Sequence, residues 1–156
     1  MAANSTLGIN VYYAWQTNGT RPTTGYTLLS DEIVEVPEYN SAPEGLDATP
    51  LSETVAIRRI PGLKDNGDDF ALNCNISQAL LTAWAAIVAD VADNIPDGNY
   101  LELMIVIPDY TQAYFLSGTP IAAGFPGASV NEVFQGELHI TPYQDHGWDT
   151  KGTITP

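Results

Sequence analysis

The period of apolar and polar positions switches several times along the chain, and each switch marks an element. Residues 9–15, Ile-Asn-Val-Tyr-Tyr-Ala-Trp, are rich in β-branched and aromatic side chains, which suit a pleated, half-buried surface, and predict a strand. Asn-Gly, Arg-Pro and a second glycine punctuate residues 17–25 as a loop. A second strand is expected over residues 26–36. Residues 54–60 predict another, ending at Pro61-Gly62, and residues 64–69 then place Asn-Gly at the tip of a turn, a strong hairpin signal. Beyond it the alternation is regular: Phe70, Leu72, Cys74 and Ile76 share one side, Ala71, Asn73 and Asn75 the other.

The period then changes to that of a helix. Asn75 or Ser77 is placed to cap it, and Leu80, Leu81, Trp84, Ile87, Val88 and Val91 form a stripe at helical spacing. Residues 93–98, Asp-Asn-Ile-Pro-Asp-Gly, stop it. The opposite side is mostly Ala and Thr, so it is either lightly buried or covered by another subunit. Strands follow over residues 100–107, broken only by Glu102, and over residues 113–117. Residues 130–141 form the longest alternating segment, with Val130, Glu132, Phe134, Gly136, Leu138 and Ile140 on one face and Asn131, Val133, Gln135, Glu137, His139 and Thr141 on the other. A polar face of that length borders water. These elements predict a mainly β chain, an antiparallel β-sandwich or barrel with one flanking α-helix.

Two stretches lose all period. Residues 35–53 combine Pro37, Pro43, Gly45 and Pro50 with Glu35, Glu38, Glu44, Asp47 and Glu53. Such a long loop is either a solvated acidic segment or an arm that orders against a neighbouring molecule. Residues 143–156 are expected to form a C-terminal tail, leaving residues 1–142 as a single domain. A chain of 156 residues buries roughly 70% of its unfolded surface, and 44% hydrophobic residues suffice for a core.

Charge narrows the function classes. Five Lys and Arg against nineteen Asp and Glu give a formal net charge of −14, a surface that repels phosphate backbones and anionic lipid. No apolar run of about 20 residues is apparent, so no membrane partner is expected. Residues 1–6 lack the basic flank and apolar stretch of a secretory leader. Cys74 is the sole cysteine and has no intrachain partner; its place on the apolar face makes it a small core residue. The sequons at Asn4, Asn18 and Asn75 are therefore expected to stay unmodified.

Catalytic signatures are thin. The chain has no dinucleotide fingerprint, P-loop or zinc-protease motif. Residues 127–131, Gly-Ala-Ser-Val-Asn, miss the nucleophile elbow at the last position. A general base would have to be His139, on the polar face of a strand, or His146, in the expected tail; both are expected as exposed surface residues. Residues 65–69 are rich in carboxylates, but their spacing departs from a calcium loop. Asp68 and Asp69, adjacent on a strand, point to opposite faces and cannot flank one bond. Neither an enzyme activity nor a cofactor or metal is expected. Arg58 and Arg59, the only adjacent cations, are expected to pair with acidic side chains.

The order of segments carries a resemblance. Ile57-Arg58-Arg59-Ile60-Pro61-Gly62-Leu63-Lys64, Gly67 and the strand through Ile76 lead into a helix holding Trp84. Gly98, the strand ending at Pro108, Tyr114-Phe115, Gly118-Thr119-Pro120, Gly124-Phe125-Pro126-Gly127 and Leu138-His139-Ile140-Thr141-Pro142 follow in turn. Over roughly residues 54–142 the chain resembles the major tail tube proteins of long-tailed, non-contractile bacteriophages. That resemblance implies a β-sandwich with a flanking helix, hexameric rings stacked into a hollow tube, and a lumen barrel built from the joined inner sheets of neighbouring subunits. It also implies a long loop and a terminal arm bridging successive rings, assembly in the bacterial host cytoplasm, and a place in the virion. The implied partners are further copies of the chain, the tape measure, tail tip and tail terminator proteins, and DNA that passes without specific binding. Similar folds occur in contractile tail tubes, type VI secretion and gene-transfer particles.

Within that resemblance, Gln135, Glu137 and His139 are the candidate lumen lining. Glu38, Glu44 and Asp47, in the loop over residues 35–53, are the candidate ring-stacking contact. Ala83, Ala86 and Ala89 are the candidate subunit-packing surface. Two rival readings remain: a monomeric β-sandwich module that binds carbohydrate through Tyr12, Tyr13, Trp15 or Trp148, and a hydrolase using His139 or His146.

Overall fold

The computed structural model describes residues 8–39, 43, 45–63, 67 and 69–154. Its strands are β1 (Asn10–Trp15), β2 (Thr27–Leu28), β3 (Ile33–Glu35), β4 (Gly45–Asp47), β5 (Arg59–Pro61), β6 (Phe70–Asn75), β7 (Leu101–Val106), β8 (Gln112–Pro120) and β9 (Gln135–Thr150). Between β6 and β7 lie α1 (Gln78–Ala89) and the short α2 (Val91–Asn94). Seven strands form one antiparallel sheet in the order β2-β1-β7-β8-β9-β6-β3, curled into a half-barrel with the helix against it; β4 and β5 pair separately. The mainly β class with a flanking helix is the one the sequence predicts.

Packing follows the alternation. Phe70, Leu72 and Cys74 of β6, Leu101 and Leu103 of β7, and Leu138 and Ile140 of β9 all turn to the helix side, where Leu80, Trp84 and Ile87 complete one core. The Ser77 hydroxyl accepts from Leu80 N at 3.2 Å and starts α1. Trp84, 1% exposed, donates its Nε1–H to the Ile121 carbonyl at 2.8 Å, tying the helix to the loop after β8. Cys74 is fully buried and burial pushes its thiol up to about 11, in keeping with a core role. On the other face of the sheet a smaller cluster gathers Ala14, Met104, Ala113 and Phe115 under Tyr26.

Several expectations need correction. The single strand over residues 26–36 is two: β2 pairs with β1 and β3 with β6, so this segment spans both edges of the curled sheet. The hairpin read into residues 54–76 does not form. β5 pairs with β4 instead, because both edges of β6 are taken by β9 and β3; residues 64–66 and 68 lie outside the described residues. Residues 130–134 precede β9 rather than belonging to it, with Asn131 in the left-handed region at φ 66°. The helical stretch Gln78–Asp97 is apolar and long enough by composition to cross a membrane, which the sequence reading overlooked; here α1 lies with its Leu80, Trp84 and Ile87 in the sheet core.

The largest correction concerns the expected tail. β9 runs on through residues 143–150, paired with β8 throughout. Beyond it, Tyr26 N donates to the Thr153 carbonyl at 3.2 Å and Thr153 N to the Thr23 carbonyl at 2.9 Å. Two bulges hid this strand. The β8–β9 register passes from Phe115↔Gly147 to Leu116↔Asp145, and from Ser117↔Gln144 to Gly118↔Pro142. His146 and Tyr143 are the extra residues, and each insertion resets the alternation.

Candidate functional site

The first half of β9 builds the polar face that the sequence assigns to it. With Leu138 and Ile140 buried, Gln135, Glu137 and His139 must emerge on the side away from the helix. Pairing with β6 sets Asn75, Asn73 and Ala71 beside them in that order. Gln135 Nε2 donates to Asn75 Oδ1 at 3.0 Å. His139 Nδ1 lies 2.9 Å from Asp69 Oδ2, and its Nε2 is 3.5 Å from Glu137 Oε2. The three residues thus fall on one surface, bordering a cavity of about 630 Å³ whose other walls include Phe125, Pro126 and Asn73. Both nitrogens of His139 face carboxylates, and neither is aimed at a hydroxyl.

Residues 45–61 project as an arm organised by its own bonds. Asp47 Oδ1 accepts from Thr49 N at 2.9 Å, Arg58 N donates to Thr49 Oγ1 at 2.8 Å, and Arg58 Nη2 meets Glu53 Oε2 at 3.0 Å. Hydrogen bonds from Thr49 hold the Asp47 carboxyl below its usual range, and the Val55 N–H does the same for Glu53. The expected acidic pairing of Arg58 is therefore local. Beside the exposed Asp47, Arg58 and Arg59, the arm exposes large apolar side chains: Leu51, Val55 and Ile57, with Leu46 and Ile60 on its paired strands. Glu38 and Asp47 are exposed in this region, while Glu44 lies outside the described residues. Ala83, Ala86 and Ala89 all lie on the exposed side of α1, with Thr82 and Ala85 beside them.

A second polar group escaped sequence reasoning. Glu102 of β7 is fully buried; it accepts from Gln16 Nε2 at 3.1 Å, and His146 Nε2 lies 3.4 Å from its Oε2. Burial pushes the Glu102 carboxyl up to about 7, against the lowering effects of Gln16 and Arg21. Burial and the Arg21 charge hold His146 below the ordinary imidazole range, with Asp145 opposing. His146 is thus a half-buried strand residue, not the exposed tail residue expected. The available signal was a lone carboxylate inside the apolar run over residues 100–107.

No family model matches the chain, and no curated protein matches it. Among solved structures, its fold is similar to that of a chain in the cryo-EM structure of the anti-feeding prophage (AFP) baseplate, 6-fold symmetrised. The TM-score is 0.55 at 13% identity, covering 94% of this chain and 96% of that one.

Proposed function

We propose that the chain is a structural subunit of a phage-type tail, forming hexameric rings that stack into a tube through which DNA is delivered. The observation that carries this reading is the arm over residues 45–61, ordered by its own hydrogen bonds yet presenting Leu51 and Val55 at 106% and 90% exposure. Several large apolar side chains exposed along one arm suit a protein partner. A second copy of the chain supplies it, with Glu38, Glu44 and Asp47 at the contact between rings. Ala83, Ala86 and Ala89 face a neighbour within a ring, where small side chains permit close approach. Gln135, Glu137 and His139 line the lumen, and the charge of −14 lets DNA pass without phosphate contacts. The fold likeness to a protein of a six-fold symmetrised prophage baseplate supports the reading, as does the resemblance of the sequence to tail tube proteins. Its further partners are then the tape measure, tail tip and tail terminator proteins, and its place is the virion after assembly in the host cytoplasm.

Light scattering behind size exclusion, with negative-stain images of the same fractions, tests this directly. Rings or tubes of uniform width are the expected result, and deleting residues 38–48 abolishes stacking while leaving the sheet folded. Normal tubes from the deletion overturn the arm assignment. Glu137→Lys is expected to change DNA delivery more than assembly. The rival carbohydrate-binding reading has one observation of its own: Trp148 and Tyr110 are about half exposed with ring centroids 6.4 Å apart. A strict monomer at high concentration that is retained by a glycan favours it.

A further inference from the structure

Among the described residues, Glu102 is the charged side chain with no exposed surface. Its surroundings come from four elements. Gln16, in the loop after β1, accepts Tyr100 N on its Oε1 at 3.2 Å, which commits its amide to donate to Glu102 Oε2. Ala14 of β1 and Ser117 of β8 flank Glu102 across the sheet, and the Ser117 hydroxyl is spent on the Gln144 carbonyl at 3.0 Å. Arg21 lies over the Phe115 ring at 4.1 Å, and its Nη2 pairs with Asp149 at 2.6 Å. The Tyr26 hydroxyl donates to the Pro22 carbonyl at 2.7 Å. From β9, Asp145 and Asp149 add negative charge on either side of His146. Three buried polar atoms make no hydrogen bond here: Glu102 Oε1, His146 Nε2 and Arg21 Nη1.

The costly feature of this geometry is the buried charge. A neutral imidazole with its hydrogen on Nε2 donates across the 3.4 Å contact, and one with it on Nδ1 turns a lone pair to the carboxylate; in either tautomer an ionised Glu102 stays a bare charge that burial denies water. One added proton on the pair removes that bare charge. We propose that Glu102 and His146 hold one proton in common, and that this proton latches the second half of β9 onto β7 as a pH-sensitive joint. The bulge that makes His146 an extra residue is what turns its ring toward β7. Losing the proton leaves Glu102 an ionised group with Arg21, already paired to Asp149, as the nearest cation. His146 is partly exposed, so the pair equilibrates with solvent. The raised Glu102 carboxyl and the lowered His146 imidazole agree with a single shared proton at neutral pH.

Two measurements on the full chain test the latch. Amide exchange, corrected for intrinsic rates, gives protection factors for residues 143–150 in the wild type and in Glu102→Gln. The wild-type to variant ratio is expected to fall by roughly a hundredfold between pH 5 and pH 8. A ratio that stays constant overturns the proposal. Carbon-13 NMR then follows the Glu102 carboxyl in the wild type and in His146→Gln, which keeps a polar group but cannot take the proton. A midpoint displaced by about half a unit or more is expected for a coupled pair. An undisplaced midpoint shows that Glu102 titrates alone and rejects the shared proton, even if Glu102→Gln fails to fold.

Discussion

The two halves of β9 carry the same chemistry in different surroundings. In the first half, His139 meets Asp69 and Glu137 on the open sheet surface; in the second, His146 meets Glu102 beneath the Arg21 loop. Exposed pairs of this kind contribute about 0–1 kcal/mol, since solvent screens them and ordering the side chains costs entropy. The inner pair is desolvated, and its protonation becomes part of the stability of the fold. The first half is paired with β6 over residues 135–140 and meets β8 only from Ile140 onward, whereas the second half is bulged and, among the described residues, pairs with β8. Burial and register, not residue type, separate a surface charge cluster from a structural joint.

The sharpest way to break the comparison is at the seam between the halves. A side chain at Gly118 would place its Cβ 2.5 Å from the Thr141 carbonyl and 2.7 Å from Ile140 Cγ2. Gly118→Val is therefore expected to cost about 3–4 kcal/mol in urea unfolding, by forcing β8 and β9 apart. Next comes the pH dependence of the inner pair. The folded-state value of Glu102, about 7, lies above its ordinary 4.5, so the folded chain retains a proton that the unfolded chain releases. Stability from this group is complete below 4.5 and is lost as pH rises to about 7. His146, held low, acts oppositely below 6.5. The unfolding free energy of the wild type relative to Glu102→Gln is expected to drop by about 3 kcal/mol between pH 4.5 and pH 8, read from paired urea titrations.

Two smaller effects sharpen the contrast. Ser117→Ala removes the buried hydroxyl bonded to the Gln144 carbonyl at the bulge, and is expected to cost about 1 kcal/mol in thermal unfolding. His139→Ala on the outer half is expected to change stability by less than about 1 kcal/mol, with that small effect weakening further in high salt. A larger loss at His139 than at Ser117 would reverse the ranking argued from burial.

Much of the fold was legible where one face of an element is buried and the other is wet. The alternation of Phe70, Leu72 and Cys74, the stripe of Leu80, Trp84 and Ile87, and the outward set of Gln135, Glu137 and His139 all appear as read. A buried face forces a strict period on the residues, so the sequence records it. The reading failed where the period is interrupted. Asp145-His146-Gly147, read as part of an aperiodic tail, is a bulge within a strand: Gly147 takes φ 71° and its N–H donates to Asp145 Oδ1 at 2.7 Å. The Asn-Gly signal after β5 is equally local and did not decide which strand β5 pairs with.

By itself, then, the sequence determined the β-rich class, the single main helix, the acidic surface and the faces of β6, α1 and early β9, because hydrophobic burial imposes a period that survives in one dimension. Tertiary structure alone decided the strand order, the pairing of β5 with β4, the continuation of β9 past Pro142, and the meeting of Glu102 with His146 across 44 positions of chain. Those depend on register and on which edges remain open after the core has formed. Neither is written in the local alternation of residues.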